Sequence, residues 1–498
     1  MTALSLGRAF TAAAHQDPDR PAVTSDGRTT TRGELESLSN RSARVFADLG
    51  VRQGDFVTVG LANSAEFYAA VLAAWKLGAV PQPVSPRLPD RERADIVELA
   101  NSALVVGAEP LAHPGRICLP VGWRPDTAVS AEPLADDPIA PAWKAPTSGG
   151  STGRPKLIVA ADPGVLDPAL PVGMGVRHDG VMMVPGPMYH NAPFSYSTKG
   201  LVAGNHVITM ARFDAAATLA AIDSHRPDWM LVVPTMMQRM SRLADRDDYD
   251  VTSLQVVWHM AAPCPPWLKQ DWIDWIGAEH LFELYAGTEA QAVTVIRGDE
   301  WLAHRGSVGK PIFGEMRVQD PDGRVLAAGD VGEIYMRAPA GKVTYRYVGA
   351  EAKTSADGWE SLGDMGWIDE EGFVFLTDRL GDMILSGGAN IYPAEVEHAI
   401  DEHPAVQSCA VIGLPDDDLG NRVHAVVHLR PGAAATEEEL RAHVAERLVR
   451  YKVPRSFEFS GETLRDDAGK LYSPKQDSDD SDGVTFGKLP PETRFTLV

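Results

Sequence analysis

The chain has 498 residues, 44% hydrophobic and 23% charged, which excludes a single small module, a disordered chain and a collagen-like or coiled-coil fibre. Lys and Arg total 46 against 68 Asp and Glu, a net charge of −22 that repels phosphate backbones and anionic membrane surfaces and argues against nucleic acid as a partner. Cys118, Cys264 and Cys409 are far apart and form no CxxC or Cys/His cluster, so neither a disulfide framework nor a structural zinc site is expected, and a reducing cytoplasm is the natural compartment. The start, MTALSLGRAFTAAAHQ, lacks a basic region followed by a sustained apolar one, and the run 69–80 is interrupted by Lys76, so neither signal peptide nor membrane span is expected.

From the N-terminus to about residue 380, β-branched runs such as Val232–Val233 and Val256–Val257 alternate with helical patterns such as 66–77, which predicts a large, layered α/β body. Pro- and Gly-rich breaks are expected near 81–89, 133–153 and 306–314. Within the second break lies TSGGSTGRPK. Its Thr147, Ser148, Gly149, Gly150, Ser151, Thr152 and Gly153 offer backbone N–H groups and hydroxyls that can surround a polyphosphate, and Lys156 adds charge. The spacing is neither a Walker A loop nor GxGxxG, and a flexible surface linker is the alternative. Further on, PMYHNAPF carries Met188, Tyr189, His190 and Phe194, and HMAAPCPP carries His259, Ala261, Ala262 and Pro263. In YAGTE (Tyr285, Ala286, Gly287, Thr288, Glu289), Thr288 can meet a phosphate oxygen and Glu289 is a hard oxygen ligand suited to Mg²⁺. Asp364 in LGDMG can accept hydrogen bonds from two ribose hydroxyls; an ordinary surface ion pair is its alternative, as it is for Arg379.

After Arg379 the texture changes. The loop LSGGANIYP leads into a helix over 394–401, strands around 406–412 and 423–429, and a helix over 436–448, a small α+β unit. The expected division is a large domain over 1–379, a small mobile one over 380–474 with a hinge near Gly381, and an acidic tail over 475–498.

In this order TSGGSTGRPK, PMYHNAPF, YAGTE, GEIYMR, WESLGDMGW, TDRLGDMILSGGANIYPAEVE and DDAGK resemble the ANL superfamily of adenylate-forming enzymes, over nearly everything up to Lys470. The resemblance implies ATP, Mg²⁺ and coenzyme A as cofactors. It places Ala261, Ala262 and Pro263 against adenine, Asp364 and Arg379 at the ribose, and His190 as a gate between the ATP and acyl sites. It further implies that Lys470 bridges the acyl carboxylate and the α-phosphate and that Gly387 and Gly388 lie along pantetheine. The combination is most similar to ligases of fatty, bile-acid or other bulky alicyclic carboxylates, with Met188, Tyr189, Phe194, Val233, Met236 and His259 on the acyl side; core packing is the alternative for the apolar ones. The implied partners are a small-molecule carboxylic acid and, at most, a second copy of the chain as a homodimer.

Ala286 stands where glycine is usual, Leu464 where proline is common, Gly381 where many members carry a hinge Asp or Lys, and SPKQDSDDSDG replaces the usual basic continuation after Lys470. The leading expectation is an ATP-dependent acyl-CoA ligase for a bulky hydrophobic acid. The alternatives are a member with weak or absent adenylation that uses supplied acyl-AMP, and a non-catalytic nucleotide or acyl binder. Amino-acid adenylation is disfavoured because PMYHNAPF lacks an acidic partner for an α-ammonium.

Overall fold

The computed structural model describes residues 3–149, 155–168, 170–379, 384–386, 389–416, 419–462 and 464–465, without the side chains of residues 148, 149, 378, 379, 390 and 420. It is a mixed α/β chain with a large N-terminal body and a small C-terminal one.

A 14-stranded sheet runs through the large body. At its centre His206–Thr209, Val181–Met183, Trp229–Val232, Val256–His259 and Leu281–Tyr285 lie parallel, in that spatial order. Three of these strands are buried along their whole length or nearly so, as a sheet covered on both faces requires. The sheet continues as antiparallel strands, among them Val293–Arg297, Ser307–Phe313, Val374–Arg379 and Glu360–Ile368. The stretch 306–314 is therefore a strand and not the expected break. Gly309 explains the misleading signal: it has φ +95°, and a Cβ there would lie 2.0 Å from the Val295 carbonyl oxygen, so glycine serves an irregular, closely approached strand. The first break is also partly strand. Val80–Pro83 joins a four-stranded parallel sheet at its edge, where Pro81 and Pro83 leave no inner ladder bond unmade.

The helix Ala65–Lys76, read from sequence as 66–77, starts at Ser64, whose hydroxyl accepts the Phe67 N–H. It is buried nearly all round, which forces its Lys76 to find a partner inside: Glu36, on the capping-box helix Arg32–Asp48. No helix among the described residues is long and apolar enough to cross a membrane.

The small body has its own five-stranded sheet, with Val406–Asp416 and Gly420–Leu429 as a long antiparallel pair and Ser456–Ser460 parallel to the latter. Helices Pro393–Asp401 and Glu437–Ala445 close its core through Val396, Ile400, Leu440 and Val444. Leu464, in the place of the family's proline, is buried against Ala410 and Val426, and Arg465 donates to Glu397 at 2.6 Å. The chain is thus anchored to the small body up to five residues before Lys470. From the large body, Arg242 reaches across to the carbonyl oxygens of Asp401 (3.1 Å) and Gln407 (3.3 Å).

Candidate active site

The glycine- and hydroxyl-rich segment is entered by the strand Thr147–Gly149 and left by Pro155–Ala160, which pair antiparallel with Ser148 opposite Lys156. Gln82, fully buried, donates to the Thr147 hydroxyl at 3.0 Å while its own oxygen accepts from Thr58 at 2.5 Å, so the entry is fixed from behind. A third strand, Tyr345–Val348, pairs with Pro155–Ala160 and brings Tyr347 to the site. Gly150, Ser151, Thr152, Gly153, Gly387, Gly388 and Lys470, together with Gly381, where a hinge is expected, and the stretch 475–498, lie outside the described residues.

YAGTE follows the C-terminal end of the parallel strand Leu281–Tyr285, the end at which open α/β sheets place their ligands. A Cβ on Gly287 would lie 2.4 Å from Leu362 and 2.8 Å from the Glu289 carboxylate, so glycine lets the turn fold back and carry Glu289 inward. Thr288 is half-buried beside it, and Ala286 is accommodated without a positive φ. Glu289 is buried. Its Oε1 accepts the Tyr347 hydroxyl at 2.5 Å and faces the Lys156 ammonium at 3.6 Å, and the same ammonium lies 4.0 Å from the centre of the Tyr347 ring. Burial and the bond to Glu289 push the Tyr347 phenol well above its ordinary pKa, so it stays a donor. Next to this cluster, Tyr345 and Gln291 both donate to Glu360, at 2.6 and 2.8 Å, and together with Tyr347 they line an open cavity of about 740 Å³.

Among the described residues no group of three or more His, Cys, Asp or Glu could hold a metal. A single buried carboxylate whose present partners are one hydroxyl and one loose ammonium fits Mg²⁺ that brings water and phosphate oxygens as its remaining ligands. On the other side of YAGTE, the Tyr285 hydroxyl donates to Asp364 Oδ2 at 2.7 Å, and Asp364 stands opposite Arg379 in the strand register. The structure thus brings Lys156, Glu289, Tyr285 and Asp364 around one turn, with Thr147 on the strand paired to that of Lys156.

His190 is the N-cap position of the helix Asn191–Val202, with its ring 4.5 Å from that of Tyr189. Ala261 in HMAAPCPP is exposed and held at φ +76°, a conformation uncommon for a residue with a Cβ, while Pro263 is exposed and Ala262 half-buried. Four of the residues expected on the acyl side have no usable surface in this conformation: Met188 and Phe194 are wholly buried, Met236 is 1% exposed and His259 is 0% exposed. The first three belong to the two large hydrophobic cores, where apolar side chains of this kind ordinarily reside. Val233, at 8%, is nearly as closed. His259 faces Glu283 at 4.0 Å; Glu283 is taken by Lys269 at 2.5 Å, and burial lowers the His259 pKa to about 4, leaving a neutral ring. Cys264 is inert, its thiol pushed up by burial.

Sequence reasoning missed Gln82 and Tyr347. Lys144, three residues before the strand Thr147–Gly149, donates to Asn191 and Ser195 on the helix that follows His190.

A family model described as "AMP-binding enzyme" matches residues 10–348, and one described as "AMP-binding enzyme C-terminal domain" matches 395–470. The chain is 30% identical to a fatty acid–[acyl-carrier-protein] ligase of Streptomyces coeruleorubidus, covering 92% of this chain and 93% of that protein. It is 31% identical to a feruloyl-CoA synthase of Amycolatopsis sp, over 92% and 95%. Among solved structures it is similar to the o-succinylbenzoate coenzyme A synthetase of Bacillus subtilis in complex with ATP and magnesium ion (TM-score 0.78, 26% identity, 94% and 98% covered). It is also similar to the amide bond synthetase of Marinactinospora thermotolerans (TM-score 0.76, 27% identity, 94% and 98% covered).

Proposed function

Because this chain belongs to the AMP-binding enzyme family, as an ATP-dependent, AMP-forming acid–thiol ligase that uses Mg²⁺ and coenzyme A, we propose that it activates a bulky hydrophobic carboxylic acid as its acyl adenylate and passes the acyl group to coenzyme A. The observation that supports this reading is a pair of polar clusters flanking YAGTE: Glu289 with Lys156 and Tyr347, which we assign to the phosphates, and Asp364 with Tyr285, which we assign to the ribose. In the first half-reaction a carboxylate oxygen attacks the α-phosphorus and the bond to the bridging oxygen breaks, releasing pyrophosphate. In the second, the thiolate attacks the acyl carbon and AMP leaves with the electron pair of the broken C–O bond. Lys156 and Thr147 hold phosphate oxygens, Asp364 and Arg379 orient the ribose, and Ala261, Ala262 and Pro263 give adenine a flat, close surface. Lys470 delivers charge to the forming bond, with Gly387 and Gly388 along the pantetheine arm.

An apolar acyl site beside Tyr189 and His190 buries the hydrocarbon of the acid on binding. Each additional buried CH₂ then contributes ~0.8 kcal/mol to binding. A screen of acids for AMP release with ATP, Mg²⁺ and coenzyme A tests the reading. Bulky or long hydrophobic acids should exceed acetate by orders of magnitude; kcat/KM highest for acetate or for an α-amino acid would overturn it.

A further inference from the structure

Behind the bond from Tyr347 to Glu289 stands a second carboxylate, which the proposed reaction does not use. A single oxygen of Glu360, Oε2, accepts the Tyr345 hydroxyl at 2.6 Å and the Gln291 side-chain amide at 2.8 Å. Both donors are neutral, and they come from different segments. Gln291 follows Glu289 by two residues and is 3% exposed, so fixing its side chain also fixes the YAGTE turn. Tyr345 opens the strand Tyr345–Val348, two residues before Tyr347, and the two rings meet edge to face with their centres 4.8 Å apart. Glu360 itself begins a third segment, the strand Glu360–Ile368. One carboxylate oxygen therefore ties the turn that carries Glu289 to the strand that carries the hydrogen-bond donor of Glu289.

A carboxylate that serves a divalent cation depends on the hydrogen bonds that orient it from behind. Here that bond is the one from Tyr347, and a neighbouring phenol could compete for it: Glu289 is close enough for its charge to act on Tyr345 as well. Glu360 removes the competition by giving the Tyr345 proton another acceptor. Burial and the bond to Glu360 push the Tyr345 phenol well above its ordinary pKa, so both tyrosines remain donors, each with its own carboxylate.

We propose that Glu360 is a positioning residue of the cation site: through Tyr345 and Gln291 it sets the Tyr347 ring and the YAGTE turn, and so the direction in which Glu289 presents its carboxylate to Mg²⁺. The assignment rests on the reading of Glu289 given above and deepens it. Glu360 acts through its hydrogen bonds and does not touch the cation.

The test uses Mn²⁺ as the probe, titrated into the full chain with saturating α,β-methylene-ATP and followed by electron paramagnetic resonance, with metal-free AMP binding measured beside it. Glu360→Leu should weaken Mn²⁺ about ten-fold and leave AMP affinity unchanged. Glu360→Gln keeps an oxygen that can accept both bonds, and should recover most of that loss. Tyr345→Phe removes the hydroxyl alone; it should also weaken Mn²⁺, and it takes the place of Glu360→Leu should that variant not fold. In a Tyr347→Phe background Glu360→Leu should add at most about three-fold, because the bond through which it mainly acts is already gone. Unchanged Mn²⁺ affinity in Glu360→Leu would overturn the proposal. So would Glu360→Gln as damaging as Glu360→Leu, which would make the charge itself the active element, or equal weakening of Mn²⁺ and AMP, the mark of a bond that only supports the fold. A full effect of Glu360→Leu in the Tyr347→Phe background counts against it as well. A wild type that holds no Mn²⁺ with the analogue defeats the adenylate-forming reading and this assignment with it, whereas failure of the assignment alone leaves wild-type Mn²⁺ binding intact.

Discussion

Lys76 and Lys156 are both largely shielded from water and both face a glutamate, yet the two pairs are built for different ends. In the helical part of the large body, Lys76 meets both oxygens of Glu36 at 2.9 Å and a third partner, the Thr11 hydroxyl, at 2.8 Å, while Asn40 supplies Glu36 with another donor at 3.0 Å. Every polar valence of that ammonium is used. At the glycine loop, Lys156 touches one oxygen of Glu289 at 3.6 Å, and the closer partner of the carboxylate is a neutral phenol. The first arrangement is closed and contributes to the fold. Among the described residues, the second leaves one carboxylate oxygen and most of an ammonium's hydrogen-bonding capacity unused.

The contrast is broken most severely by removing half of the closed pair. Lys76→Met leaves Glu36 buried and unpaired, for an expected loss of about 3–5 kcal/mol in denaturant unfolding, with ligand affinities of the surviving folded fraction unchanged. A smaller loss comes with acid. The His259 pKa is lowered to about 4 by burial, so between pH 6.5 and 4 the unfolded chain binds a proton there that the folded chain does not. The stability it contributes is full above pH 6.5 and falls as the pH drops through that window, by ~3 kcal/mol at most. Urea unfolding at pH 7 and pH 4.5 measures it, and His259→Gln should flatten the difference.

On the open side the effects should appear in ligand binding rather than in folding. Tyr347→Phe removes the donor that orients Glu289, and should raise the Mg²⁺ concentration for half-maximal ATP turnover about ten-fold while shifting Tm little. Tyr285→Phe removes the donor to Asp364, at a cost of ~1 kcal/mol, and should raise the KM for ATP about five-fold with kcat nearly unchanged in steady-state assays.

Which of these residues could be read from sequence follows from how each is positioned. Glu289 and Asp364 could be singled out because a short contiguous segment contains both the turn and the carboxylate, and Gly287 shows why its turn needs that residue type. Tyr347 and Gln82 were not. Tyr347 reaches the loop only because Tyr345–Val348 pairs with Pro155–Ala160 across nearly 190 residues, and Gln82 because an edge strand of another sheet runs behind Thr147. The apolar acyl residues mark the opposite limit: Met188, Phe194 and Met236 satisfy a pocket and a core equally well by type, and the structure places them in the core. In the small body, alternation and helix period located the long strand pair and both helices to within a few residues, because one face of each is buried.

The claim that the open pair is the phosphate- and cation-binding centre is tested most directly by acid-dependent ATP–pyrophosphate exchange of wild type and Glu289→Gln, with Tm recorded for both. Glutamine keeps the size and the Tyr347 bond but removes the charge. The account predicts exchange in wild type with a bulky hydrophobic acid, a loss of about 100-fold or more in Glu289→Gln, and closely similar Tm values. Exchange at the wild-type rate in Glu289→Gln, or none in wild type with any acid, would contradict it.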